Sequence, residues 1–144
     1  MKVRNKVTAL KGAMVLAAVL AMSGTALAKK PAGVGGGVPA DLSDDRTSAT
    51  VTVSAQCDPL TQGASGILSV YIFQSVGRLI NIGIGSGTVL CTNATTDQSI
   101  VVNAIPGLAF QPGPATLIVK LTTVDPLTLL PTVSESGSRL NLHP

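Results

Sequence analysis

Cys57 and Cys91 are the only cysteines of this chain, and the 33 residues between them include its most apolar run outside the N-terminal segment. We predict a disulfide between them that pins two or three β-strands. Such a link would restrict the fold more than any other local feature of the chain. In the loop-entropy model this bridge is worth about 3–4 kcal/mol. Two inert buried thiols are the alternative. The spacing is far from C-x-x-C, which argues against a redox pair.

Residues 1–28 have the features of a secretory signal peptide. Four basic residues precede or flank the start of an apolar run at 13–22, and small residues occupy the positions before a predicted cleavage after Ala28. The apolar run is about half of a transmembrane helix, so we expect no membrane span after cleavage. An uncleaved anchor is the alternative. The predicted location is periplasmic or extracellular, where oxidising conditions favour the disulfide.

The charge balance depends on this segment. The full chain carries a net charge of +3, but four of its ten basic residues lie within residues 1–28. The remaining 116 residues carry six basic and seven acidic side chains, a net charge of −1. No basic surface is left to neutralise phosphates, so we expect no nucleic-acid partner. This length suits one domain rather than two.

Residues 29–48 are expected to form a flexible leader, because they contain four glycines and two prolines and bury little apolar surface. A leader that adds a strand to a neighbouring molecule is the alternative. Asp41, Asp44 and Asp45 lack the regular spacing of a calcium loop, so no metal site is predicted there. The folded domain is expected to span residues 49–144.

Alternation of apolar and polar residues predicts strands along this domain. They are expected at residues 49–55, 67–76, 79–84, 88–91, 98–105 and 115–124, with short strands at 132–134 and 139–142. Residues 83–87 (GIGSG) are interpreted as a turn or bulge rather than a phosphate loop, because no helix follows them. The pattern predicts an all-β fold, an antiparallel immunoglobulin-like sandwich of about seven strands.

The strand at 67–76 is apolar on both faces, whereas a sandwich strand needs only one apolar face. Its second face is expected to need a cover: the leader, a loop of the same domain, another copy of the chain, or a ligand. We predict a binding face on this side of the 67–84 strands. Its residues are Ile67, Tyr71, Phe73, Leu79 and Asn81.

Several short motifs are shared with known exported proteins. They are Cys57, the run from Val70 to Gln74, Cys91-Thr92-Asn93, Val101 to Ala104, and Gly107, Phe110, Gly113 and Ala115 before a long strand. On these motifs, residues 57–142 resemble small exported bacterial proteins with an immunoglobulin-like β-sandwich, most of them uncharacterised. Such proteins often have glycine where Asn93 stands, and often a further cysteine pair. The resemblance implies the sandwich and export, and it transfers no function.

No residue pattern indicates catalysis. The only histidine, His143, is next to the last residue, where it cannot be oriented as a triad base. Glu135 is the only glutamate, and nothing suggests two carboxylates facing each other across a cleft. The chain has no histidine and cysteine cluster for zinc. We expect no enzymatic activity, no cofactor and no metal.

Three functions remain open. The first expectation is a non-catalytic binding or adhesion module of the cell envelope or extracellular space, with an unknown protein or surface as its partner. The second is a structural envelope protein that self-associates, because few charges guard its strands. The third is a carrier of an apolar small molecule. Assembly that grows with concentration would favour the second function, and an open apolar groove on a monomer would favour the third.

Overall fold

The computed structural model describes residues 33–36, 40–57, 61, 63–92 and 94–144. The predicted signal peptide, its cleavage site after Ala28 and residues 29–32 and 37–39 of the predicted leader lie outside this range. The rest of the leader is described, and it contains two short strands.

Eight β-strands make up the described fold, which confirms the all-β class. They are β1 (Gly33–Gly36), β2 (Ala40–Leu42), β3 (Ser48–Gln56), β4 (Ser65–Val76), β5 (Leu79–Leu90), β6 (Thr96–Ala104), β7 (Gly113–Val124) and β8 (Pro131–His143). Valine, isoleucine and threonine recur along them, and side chains branched at Cβ suit a pleated surface.

The predicted immunoglobulin-like sandwich is wrong, because seven of these strands close into one barrel. The order around the ring is β3, β2, β8, β7, β4, β5 and β6, and β6 pairs back onto β3 over residues 48–55. β5 and β8 are each one continuous strand where the sequence suggested two shorter ones. Long, twisted strands can coil around one core, whereas a sandwich needs the chain to divide into two sheets.

The glycines of β5 face the barrel interior and do not form a turn. All twelve residues of β5 pair in register with β4, so the turn or bulge predicted at residues 83–87 is wrong. A Cβ on Gly83 would overlap Phe110 Cζ, and a Cβ on Gly85 would lie 2.6 Å from the Val101 carbonyl oxygen. Glycine is required here because other groups pack directly against the β5 backbone.

One apolar core fills the barrel and is closed at both ends. Phe110 enters at the end where β3 begins, and its N–H donates to the Arg46 carbonyl oxygen at 2.9 Å. At the other end the Cys57–Cys91 disulfide, with Cα atoms 5.3 Å apart, ties the residue after β3 to the residue after β5 and confirms the predicted bridge. The inward side chains between them include Val51, Val53, Leu68, Val70, Ile72, Leu117, Val119 and Leu121, all buried.

We expect Gly83→Ala to lower the free energy of unfolding by about 1–3 kcal/mol, because the added methyl overpacks the core against Phe110. Urea denaturation measures this loss. Ser86→Ala, at an exposed position of the same strand, is the control and should change stability by less than about 0.5 kcal/mol. Adding Phe110→Leu to Gly83→Ala should cost less than the two separate losses combined. Strict additivity of the two changes would contradict the predicted contact.

Candidate functional site

Both leader strands lie in one slot of the barrel, between β3 and β8. β2 pairs with β3 at residues 41 and 42 and, in parallel, with β8 at residues 142 and 143. β1 pairs with residues 53–56, further along the same edge of β3. Within the described ranges, β2 alone links β3 to β8 by strand pairing on both sides. On this side, closure of the ring therefore depends on three residues of the leader.

The register pairings of β8 with other described residues differ between its two sides. β7 pairs with it along residues 131–142. On its other side, the described residues pair with β8 only at its C-terminal end, and β1 runs alongside it without a register pairing. Strand edges with little register pairing are sites where a further strand can add. Among the described residues, register pairing of the leader with β8 is confined to the end of β8 that β2 reaches.

The inward residues of β8 are more deeply buried at its C-terminal end, beside β2, than nearer its start. Leu140 and Leu142, beside β2, are buried, as are Ala40 and Leu42 of the leader. The inward residues nearer the start of β8 are small and only half-buried. These residues are Thr132, Ser134, Ser136 and Ser138. The core is thus sealed best where β2 completes the sheet.

A short turn at residues 43–47 connects β2 to β3. Asp45 Oδ1 accepts hydrogen bonds from Ser43 Oγ at 2.6 Å, from Thr47 N at 3.0 Å and from Thr47 Oγ1 at 2.8 Å. These bonds, that from Ser43 foremost, lower the pKa of Asp45 to about 2. Arg46 has a φ of 59°, in the left-handed region that costs a side chain with a Cβ about 1 kcal/mol. The turn combines strong hydrogen bonding with one strained residue.

The five residues of the predicted binding face do not share one surface. Ile67, Tyr71 and Phe73 lie on the outer side of β4 and are exposed or half-buried. Asn81 is buried, and its Nδ2 donates to the Ala109 carbonyl oxygen at 2.5 Å. Leu79 lies two residues before Asn81, beside the hairpin turn, and is exposed. No observation here tests whether this face binds a partner.

Asn81 has a structural role that the sequence did not indicate. It pairs in register with Gln74, which is also buried. Gln74 Nε2 donates to the Gln111 carbonyl oxygen at 2.6 Å, and Gln74 Oε1 accepts from the Gln111 N–H at 2.8 Å. The two amides hold the loop at residues 105–112, from which Phe110 enters the core.

Isoleucines of neighbouring strands complete the outer side of β4. Tyr71 pairs with Ile84 on one side and Ile118 on the other, and Phe73 pairs with Ile82. The described loops leave this side uncovered, since Ile80 and Ile84 are 59% and 49% exposed. β4 and β5 carry no charged residue. We name this surface the outer wall; its residues are Ile67, Tyr71, Phe73, Ile80, Ile82, Ile84 and Ile118. The alternation of isoleucines was visible in the sequence, but the register that sets them beside Tyr71 and Phe73 was not.

A surface hollow lies beside the loop at residues 105–112. Its volume is about 430 Å³, and it is lined by Thr47 and residues 104–109. These residues are exposed or half-buried, so the hollow does not reach into the core. In the part of the chain that the structure describes, no three His, Cys, Asp or Glu side chains are placed to hold a metal ion.

No helix among the described residues is long and apolar enough to span a membrane.

Comparison with known proteins identifies no family. No protein-family model matches the chain, and no curated protein matches it. The fold is similar to the crystal structure of AggA, the major subunit of aggregative adherence fimbriae type I from Escherichia coli. The TM-score is 0.41 at 12% sequence identity, over 78% of this chain and 93% of that one. A similarity at this level assigns neither a family nor a function.

Acid should weaken the turn at residues 43–47 through Asp45. The folded-state pKa of about 2 lies below the ordinary value of 3.8, so the ionised carboxylate contributes stability above pH 4 that is lost as the pH falls toward 2. In urea denaturation at a series of pH values, Asp45→Asn should be less stable than the parent above pH 5, and the difference should shrink below pH 4 and vanish below pH 2. Asp44→Asn controls for the loss of one negative charge in the turn. A difference that does not change with pH would contradict this assignment.

Proposed function

We propose that this chain is an exported, non-catalytic structural protein that self-assembles by exchanging its leader strands between copies. The strands β1 and β2 of one copy would occupy the slot between β3 and β8 of the next. The observation that carries the proposal is the slot itself: two short leader strands occupy it, and among the described residues β2 alone pairs with both β3 and β8. Export rests on the signal-like features of residues 1–28.

Strand exchange between copies has a small free-energy cost, because each copy regains the pairings that its own leader made before. It can also add pairings. An exchanged leader that runs straight past β2 would lie along β8 in the place of β1, and further main-chain hydrogen bonds would contribute affinity. Opening the turn at 43–47 breaks the Asp45 hydrogen bonds and releases the left-handed conformation of Arg46. That turn is therefore the proposed hinge.

The outer wall supports a role in contacts between proteins. It is uncharged along β4 and β5, and large exposed apolar patches are typical of interaction surfaces. In an assembly it would pack against a neighbouring copy. A binding or adhesion module that uses Tyr71 and Phe73 of this wall is the second candidate function, since both rings are partly exposed. A carrier role has less support, because the hollow beside residues 104–109 stays at the surface.

The non-catalytic part of the proposal rests on the placement of the titratable groups. His143 is exposed near the chain end, with its Nε2 3.4 Å from Asn141 Nδ2. Glu135 is half-exposed and pairs with Lys120 at 3.3 Å. Neither group has the buried, oriented setting that a general base or acid needs.

A cysteine pair across β2 and β3 tests the exchange directly. Asp41 and Thr50 are register partners, at a separation that a disulfide can span. In Asp41→Cys/Thr50→Cys, a leader that stays in its own barrel gives a monomer on non-reducing gels, and an exchanged leader links two copies. We expect a covalent ladder that grows with protein concentration when the protein is oxidised after assembly. Protein oxidised at high dilution should be trapped as a monomer that no longer assembles in light scattering.

Thr52→Cys/Ser99→Cys is the matched control. These residues are exposed register partners on β3 and β6, which belong to the body of the barrel, so this pair should give monomer bands at every concentration. A parent protein that assembles while Asp41→Cys/Thr50→Cys yields monomers alone would overturn leader exchange. A parent protein that stays monomeric over the whole concentration range would overturn self-assembly.

A further inference from the structure

The hairpin loop between β7 and β8 presents leucines to solvent. Leu127, Leu129 and Leu130 are 89%, 75% and 65% exposed. Single exposed leucines are ordinary on protein surfaces, but three of them within six consecutive residues form a concentrated apolar projection. We name residues 125–130 the leucine tip.

The leucine tip is a defined structure held by its own hydrogen bonds. Asp125 Oδ1 accepts from the N–H of Leu127 at 2.8 Å and of Thr128 at 3.4 Å. The Asp125 carbonyl oxygen accepts from Leu129 N at 2.8 Å, the Asp125 N–H donates to Leu130 O at 3.0 Å, and Thr128 Oγ1 accepts from Leu130 N at 3.4 Å. The remaining residue of the tip is a proline, which has no N–H. Every backbone N–H of the tip therefore has an acceptor within the tip.

Leu129 is held at a φ of 58°, in the left-handed region. Glycine or asparagine would adopt this conformation at lower cost, and neither would add an apolar side chain. A strained residue in a loop that is otherwise well bonded is the kind of outlier that points to a function. Here the strained conformation places a leucine in solvent.

Apolar residues also surround the base of the tip. Four neighbouring strands of the barrel each contribute one exposed aliphatic side chain near this end. They are Val133 on β8, Val124 on β7, Ile67 on β4 and Leu90 on β5, at 55%, 44%, 56% and 61% exposure. The nearest charges on these strands are Lys120 and Glu135, which pair with each other. This end of the barrel therefore carries an apolar projection with an apolar rim. The one charged residue of the tip, Asp125, has its Oδ1 hydrogen-bonded to the backbone of the tip itself.

We propose that the leucine tip inserts into the interfacial layer of a lipid bilayer and so seats this end of the barrel on a membrane surface. A bilayer surrounds a convex projection on all sides, whereas a pocket on a protein would cover the tip and leave the rim exposed. An apolar phase also requires backbone donors to be satisfied internally, and those of the tip are. The tip itself contains no cation, so binding should not need anionic lipid. This inference is independent of leader exchange.

Flotation with phosphatidylcholine vesicles tests the proposal. The protein is recovered after secretion from a bacterial host, so that residues 1–28 have passed through the host's own processing. Leu127→Ser/Leu129→Asn removes two exposed leucines, and asparagine suits the left-handed position, so folding should be preserved. The fraction of protein bound to vesicles should fall by at least about tenfold. The control Val101→Ser changes a residue of 52% exposure on β6, outside the tip, its rim and the outer wall, and should bind as the parent does.

Fluorescence supplies a second measurement. The chain contains no tryptophan, so Leu127→Trp introduces a single reporter at the tip. Its emission should shift to the blue with the same vesicles and should be quenched by brominated phosphatidylcholine. The proposal is overturned if the parent does not float with phosphatidylcholine vesicles, if it floats only with anionic ones, or if the tip variant floats as well as the parent. Loss of self-association in the tip variant, with no lipid binding by the parent, would identify a contact between copies and would equally overturn it.

Discussion

A sheet closes into a barrel only if both of its end strands find hydrogen-bond partners, and in this chain one of the two joins is narrow. β3 pairs with β6 over eight residues, which makes a strong join. Between β3 and β8 the ring is completed by the three residues of β2. The core is sealed at Leu140 and Leu142, beside β2, and the inward residues nearer the start of β8 are only half-buried. Closure of the barrel on this side therefore depends on a short pairing.

On another side of the barrel, β5 packs closely against Phe110 and the backbone of β6. β5 has glycine at successive inward positions, so the barrel can close tightly around Phe110 and the β6 backbone. Two buried amides, Gln74 and Asn81, then hold the loop that carries Phe110. Buried amides are stable in an apolar setting only when they are hydrogen-bonded, and both are. One end of the barrel is closed by a ring inserted from a loop, and the other by the disulfide.

Charged residues are unevenly distributed over the described surface of the barrel. β4 and β5 have no charged residue, whereas β7 and β8 carry Lys120, Glu135 and Arg139, of which Lys120 and Glu135 pair with each other. Asp44, Asp45 and Arg46 lie instead in the turn between β2 and β3, at the Phe110 end. The outer wall and the apolar rim of the leucine tip have one residue in common, Ile67. These two surfaces differ in shape, since one is a sheet face and the other a projecting loop, and a difference in shape suits different partners.

The sequence by itself determined the all-β class, the disulfide, the positions of most strands, and the two apolar faces of the 67–76 strand, because side-chain alternation and cysteine count are local properties. It predicted Tyr71 and Phe73 on an outer surface, but it grouped them with Asn81, whose amide is buried against the loop of Ala109. The tertiary structure alone decided that the sheet closes, that residues 83–87 are strand, and that Ile82 and Ile84 flank the aromatic rings. Strand register and order arise from pairings between distant segments, and alternation along one strand carries no information about which strand lies beside it. For the same reason, no local pattern could show that the leader fills the slot between β3 and β8.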